Sequence, residues 1–109
     1  MKTKPFPFAV LLLAVALSLI SCSKDTPGPN EVYIRDNTFD LQTIAVSAGS
    51  TVIWTNMEKS SYSVDSDNNL FKSDNIETGK SFCYTFSTIG TYKYHCKLHP
   101  GMTGTIIVN

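Results

Sequence analysis

An all-β sandwich is the fold class the sequence predicts, and three observations predict it. Apolar residues alternate with polar ones at a period of two, turn-forming residues separate the alternating runs, and no stretch carries a convincing amphipathic helical period. The alternating sets are Val32 and Ile34, Ile44 and Val46, Val52 and Trp54, then Phe82, Tyr84 and Phe86. Tyr92 and Tyr94 lead into Cys96, and Ile106 and Val108 close the series. Each set lines one face of a half-buried strand. The punctuation between them is Asp36-Asn37, Ala48-Gly49-Ser50, the polar run Asp65 to Asn69, Glu77-Thr78-Gly79 and Gly90. No internal repeat is present.

The chain before these runs has a different character. Lys2 and Lys4 form a positive start, and Phe8 to Ile20 is an almost unbroken apolar run, short for a membrane span and closed by the small residue Ser21. Residues 1–21 therefore read as a secretory signal. Leu19-Ile20-Ser21-Cys22 resembles the lipobox of bacterial lipoproteins, which makes Cys22 the residue expected to carry a lipid; ordinary signal cleavage would leave it a free thiol. A lipid there would hold the protein at a membrane surface, in the bacterial periplasm or on the outer face of the cell envelope. Residues 22–30, with two prolines, a glycine and no large apolar side chain, read as a flexible tether. Residues 31–109 form one domain of about eighty residues, small but within the range that folds alone.

Charge narrows the function classes. The chain holds nine basic and nine acidic residues; without Lys2 and Lys4 the mature protein has seven against nine. No basic stripe exists, so nucleic acid is not an expected partner. A monomer is the expected state.

The chemistry concentrates in Thr91 to Val108, TYKYHCKLHPGMTGTIIV, where Cys96-x-x-His99-x-x-Met102 places a thiol, an imidazole and a thioether in one loop. Thiolate and thioether are soft ligands and imidazole is borderline, so the set suits copper better than calcium or magnesium. A plane of two histidines and a cysteine with a weak axial methionine is the arrangement of blue-copper electron-transfer sites. Three of those four ligand types are present, and the alternative is that they merely fill one end of the sandwich. The chain has only two histidines, too few for an oxygen-activating enzyme site, so no enzyme is expected. His99 is three residues past Cys96, a reach a tight loop closes. His95 adjoins Cys96 in a strand, so the two side chains face opposite ways and His95 is expected at the surface. Cys83 falls out of phase with Phe82, Tyr84 and Phe86 and is expected as a surface thiol, with a Cys83–Cys96 disulfide as the other possibility.

On those residues the chain resembles a small cupredoxin of the plastocyanin, amicyanin and pseudoazurin kind, over nearly all of Glu31 to Asn109. Phe39 and Ile44-Ala45-Val46 through Gly49 match the early strands, and Val52-Ile53-Trp54-Thr55-Asn56 matches the V-x-W-x-N run. Leu70-Phe71-Lys72-Ser73 and Gly79-Lys80-Ser81-Phe82 match the middle. Phe86, Gly90, Tyr92, Tyr94, Cys96, His99, Met102 and Gly104 match the C-terminal signature. The resemblance implies a Greek-key β-sandwich with one copper ion at one end and one-electron transfer between protein partners. Cys96, His99 and Met102 would be ligands, with Leu98 and Pro100 as an apolar rim where a partner docks. Ser63 is expected to tie the Tyr62 loop to the Cys96 loop by a hydrogen bond.

One position departs from the family. Six residues after the Asn of the V-x-W-x-N run, where the first histidine ligand belongs, stands Tyr62. A phenol must give up its proton before it binds metal as phenolate, a harder ligand that favours Cu(II). Left unbound, it leaves a sulfur-rich set of three that favours Cu(I). Tyr62 is thus either a ligand or an aromatic ring filling the vacancy. The corresponding functions are a membrane-tethered blue-copper-like electron carrier, a protein that holds or delivers copper between a donor and an acceptor without redox cycling, or a metal-free sandwich used for binding. If Cys22 is the anchor, Cys22→Ser should move the protein out of the membrane fraction, and a variant that still sediments with membranes at high salt would refute the anchor.

Overall fold

The computed structural model describes residues 26–109; the signal segment and Cys22 lie outside the described residues. Among the described residues there is no helix, and eight strands form two four-stranded sheets. In chain order these are β1 (Glu31–Arg35), β2 (Thr38–Asp40), β3 (Thr43–Val46), β4 (Ser50–Asn56), β5 (Asp65–Ser66), β6 (Ser81–Phe86), β7 (Gly90–His95) and β8 (Thr103–Val108). One sheet runs β2-β1-β4-β6 and the other β3-β8-β7-β5. Two pairings, β1 with β4 and β3 with β8, are parallel; the others are antiparallel. The fold is an all-β sandwich.

Local chemistry explains the first hairpin. β1 and β2 are joined by Asp36 and Asn37 alone, with φ of 56° and 57°. Two successive left-handed residues make the turn whose twist matches the paired strands, and Asp and Asn are the non-glycine residues that best tolerate it. β1 departs from simple alternation: Val32, Tyr33 and Ile34 are all buried. Val32 and Ile34 belong to the core cluster, while the guanidinium of Arg35 lies 5.4 Å from the centre of the Tyr33 ring and covers it from outside that cluster.

The core is aromatic. Trp54, fully buried on β4, has Phe71, Phe82, Phe86 and Tyr94 around it with ring centroids 5.4 to 6.5 Å away. Tyr94 meets it edge-on, and burial pushes the Tyr94 phenol to higher pKa, so it stays neutral. Tyr94 also packs over Gly104 on β8, directly opposite in the strand register. A methyl group at Gly104 would overlap the Tyr94 ring.

The polar run Asp65 to Asn69 is not wholly a turn. Asp65 and Ser66 are buried and form β5 opposite His95 and Tyr94, and the turn is confined to the residues after them. Hydrogen bonds to its hydroxyl accompany the burial of Ser66, whereas Asp65 Oδ1 is buried with no hydrogen-bond partner among the described residues. The Ser66 hydroxyl accepts the amides of Leu70 and Phe71, and the Ser73 hydroxyl accepts that of Val64. The segment from Tyr62 to Ile76 thereby contributes Val64, Phe71 and Ile76 to the core.

Gly104→Ala should cost about 1–3 kcal/mol through overpacking, since the added methyl group would overlap the ring of fully buried Tyr94. Urea unfolding measures this; a midpoint equal to that of the parent would show that Tyr94 relaxes freely.

Candidate metal centre

β7 delivers Cys96 at its end, in phase with Tyr94, and β8 takes the chain back from Thr103. His95 pairs with Thr103, so the residues between them form a closed loop. Three backbone hydrogen bonds tighten it: Cys96 N–H to Met102 O at 3.0 Å, His99 N–H to Cys96 O at 3.3 Å and Met102 N–H to His99 O at 3.1 Å. Each joins two of the three candidate ligand residues. Gly101, at φ 95°, supplies the left-handed turn just before Met102.

Side chains follow the backbone. Cys96 is 1% exposed and Met102 is 6%, while His99 is half-buried, with its Nδ1 3.6 Å from the Cys96 sulfur. Ser63 joins the neighbouring loop to this one. Its N–H donates to the Cys96 sulfur at 3.3 Å, and its hydroxyl oxygen accepts the Lys97 amide at 2.9 Å. A buried sulfur that accepts a backbone N–H is held as a thiolate acceptor needs to be. Asn56, at the end of β4, shapes that neighbouring loop: its amide donates to Ser60 O and Ile76 O, and its carbonyl oxygen accepts the Glu58 amide.

Tyr62 is buried at the centre with its ring stacked on His99, centroids 4.2 Å apart and planes 15° from parallel. Its hydroxyl donates to Asn37 Oδ1 at 2.5 Å, in the β1–β2 turn. Sequence reasoning read Asn37 only as a turn residue. Its side-chain contact with Tyr62 has no signal in the local sequence, since the two meet only when the hairpin folds over the loop.

His95 lies outside the centre. It faces solvent, with Nδ1 2.7 Å from Asp67 Oδ1. Cys83 is an exposed free thiol, and no disulfide joins it to Cys96. Leu98 and Pro100 are exposed beside His99, and with Asn37, Gly101 and Met102 they line a shallow cleft. Among the described residues no three His, Cys, Asp or Glu side chains converge as metal ligands. A metal here therefore relies on the Met102 thioether beside Cys96 and His99. Two sulfurs and one imidazole fit a soft ion such as copper and fit hard cations poorly.

A family model described as a cupredoxin-like domain matches residues 8–108. Amicyanin-alpha of Methylorubrum extorquens is 30% identical over 104 residues, covering 87% of this chain and 85% of that protein. Amicyanin of Paracoccus denitrificans is 29% identical over 82 residues, covering 71% of this chain and 63% of that protein. Among solved structures, the Cu(I) form of an amicyanin variant superposes with a TM-score of 0.70 at 26% identity, over 80% of this chain and 85% of that one. A purple cupredoxin from Nitrosopumilus maritimus superposes with a TM-score of 0.68 at 27% identity, over 72% and 98% respectively.

The contrast in exposure between the two described thiols sets a simple check. A maleimide should label Cys83 promptly in the native domain lacking Cys22, and Cys96 only after denaturation. Equal labelling of both in the native state would mean that the loop opens far more readily than its hydrogen bonds imply.

Proposed function

The chain belongs to the cupredoxin-like family, whose cofactor is a single copper ion, and we propose that it is an envelope-tethered copper protein carrying electrons between protein partners. The observation that carries this reading is the loop in which Cys96 and His99 stand 3.6 Å apart with buried Met102 bonded back to both through the backbone. In this reading the chain is a carrier and not an enzyme, secreted by residues 1–21 and anchored through Cys22.

Copper held by Cys96, His99 and Met102 would supply a one-electron couple. The protein does the rest. Cys96 offers a sulfur already oriented by the Ser63 N–H, and its burial keeps water from that sulfur. Met102 adds a soft, weak donor that biases the centre toward the reduced ion. His99 alone of the three reaches solvent, between exposed Leu98 and Pro100, so the apolar rim brings a partner's surface against the imidazole and excludes water there.

A second reading rests on Tyr62. With the phenol donating to Asn37, the donors left are two sulfurs and one nitrogen, a set that favours Cu(I). In that case the protein holds or delivers copper and does not cycle.

Titration with Cu(II) separates these readings. An intense thiolate-to-copper charge-transfer band supports the electron carrier, binding of Cu(I) alone supports the holding protein, and binding of neither leaves a metal-free sandwich. Cys96→Ser should abolish the binding and Cys83→Ser should leave one ion per chain. Tyr62→His should complete a plane of two imidazoles and a thiolate, adding or strengthening visible absorption of the blue-copper kind and giving reversible one-electron chemistry. An unchanged spectrum in Tyr62→His would mean that the side chain at this position does not reach the metal.

A further inference from the structure

Tyr62 occupies a ligand's position without pointing its oxygen at the other ligands, and Asn37 is the residue that holds it so. We propose that Asn37 and Tyr62 form a positioning pair: the Asn37 carboxamide fixes the phenol ring, and the ring in turn holds the His99 imidazole toward Cys96. The consequence for metal affinity rests on the copper reading above; the geometric claim does not.

Four features carry the argument. The Tyr62 hydroxyl has one proton, and that proton goes to Asn37 Oδ1. The phenol cannot bind a metal as phenolate while making that bond. The Tyr62 backbone is clamped as well, by N–H to Ile76 O at 3.2 Å and by Ile76 N–H to Tyr62 O at 2.7 Å. With the ring buried between these two anchors, it acts as a fixed wall. His99 needs such a wall. It sits in a solvent-edged loop, and among the described residues its ring has only the Cys96 sulfur within hydrogen-bonding reach. The near-parallel stack, 4.2 Å between centroids, therefore fixes which way the imidazole faces. Asn37 suits its part for a local reason. Its left-handed backbone, φ 57°, is one that asparagine tolerates, and the same turn turns its carboxamide toward Tyr62.

The variants follow from the geometry. Asn37→Gly removes the acceptor and keeps the left-handed turn; Tyr62→Phe removes the donor and keeps the ring; Tyr62→Leu removes the stack. In the metal-free protein, NMR should show the His99 ring protons shifted upfield by the Tyr62 ring current. Tyr62→Leu should return them toward free-histidine values, and Asn37→Gly should move them part of the way. Cu(I) affinity, measured by competition with a chromophoric chelator, should fall about tenfold in Asn37→Gly and in Tyr62→Phe. The double variant should be no weaker than either single one, because one hydrogen bond is being removed twice. A general loss of stability would not single out His99 resonances or give that non-additivity. Unshifted His99 protons in the native protein would overturn the pair, as would an Asn37→Gly protein with unmoved resonances and unchanged affinity. A phenolate-to-copper band that disappears in Tyr62→Phe would overturn it in the other direction, by making Tyr62 a ligand. If no copper binds at all, the copper reading fails, and the metal-free resonances alone decide the positioning claim.

Discussion

The register of β7 against β8 is the constraint on which the centre depends. With His95 opposite Thr103 and Tyr94 opposite Gly104, Cys96 leaves β7 pointing inward and Met102 enters β8 pointing inward. A slip of one residue would put His95 in the core and Cys96 in solvent, since side chains alternate strictly along a strand. What prevents the slip is shape. Tyr94 requires the one residue without a side chain beside it, and only Gly104 on β8 meets that need. The ring that fills the core against Trp54 is thus also the gauge that sets the ligand loop.

This explains why some of the centre was legible in the sequence and some was not. Cys96, His99 and Met102 lie within one loop, so their spacing announces their meeting without knowledge of the fold. The outward placement of His95 and Cys83 followed from strand phase alone, and both are where that phase puts them. The absence of a histidine at Tyr62 was equally plain. What Tyr62 touches was not, because Asn37 and His99 come to it from distant parts of the sequence. Ser63 is an intermediate case: the resemblance pointed to a tie between loops, and the fold supplies it through two hydrogen bonds.

The fold itself shows the same division. Alternation identified the long strands, whose faces differ in polarity. It missed β5, where Asp65 and Ser66 are buried, because polar residues read as surface unless their partners are known. For Ser66 those partners are backbone amides of the same segment, which its hydroxyl accepts, whereas Asp65 Oδ1 is buried without a hydrogen-bond partner among the described residues. Tyr33 was missed for a related reason, since the residue that covers it is a cation.

The parallel pairing of β3 with β8 has a consequence for the order of events in the life of the protein. Thr43 lies opposite Thr105 and Val46 opposite Val108, so the second sheet closes only when the last strand is available to an early one. Long-range pairing of this kind makes folding slow, because the loop must close before any contact rewards it. Until then Cys96, His99 and Met102 share a loop but lack the surroundings that Ser63 and Tyr62 give them in the folded domain. A nascent chain on the ribosome has no such centre to fill. The complete centre therefore exists only once the last strand has paired with an early one.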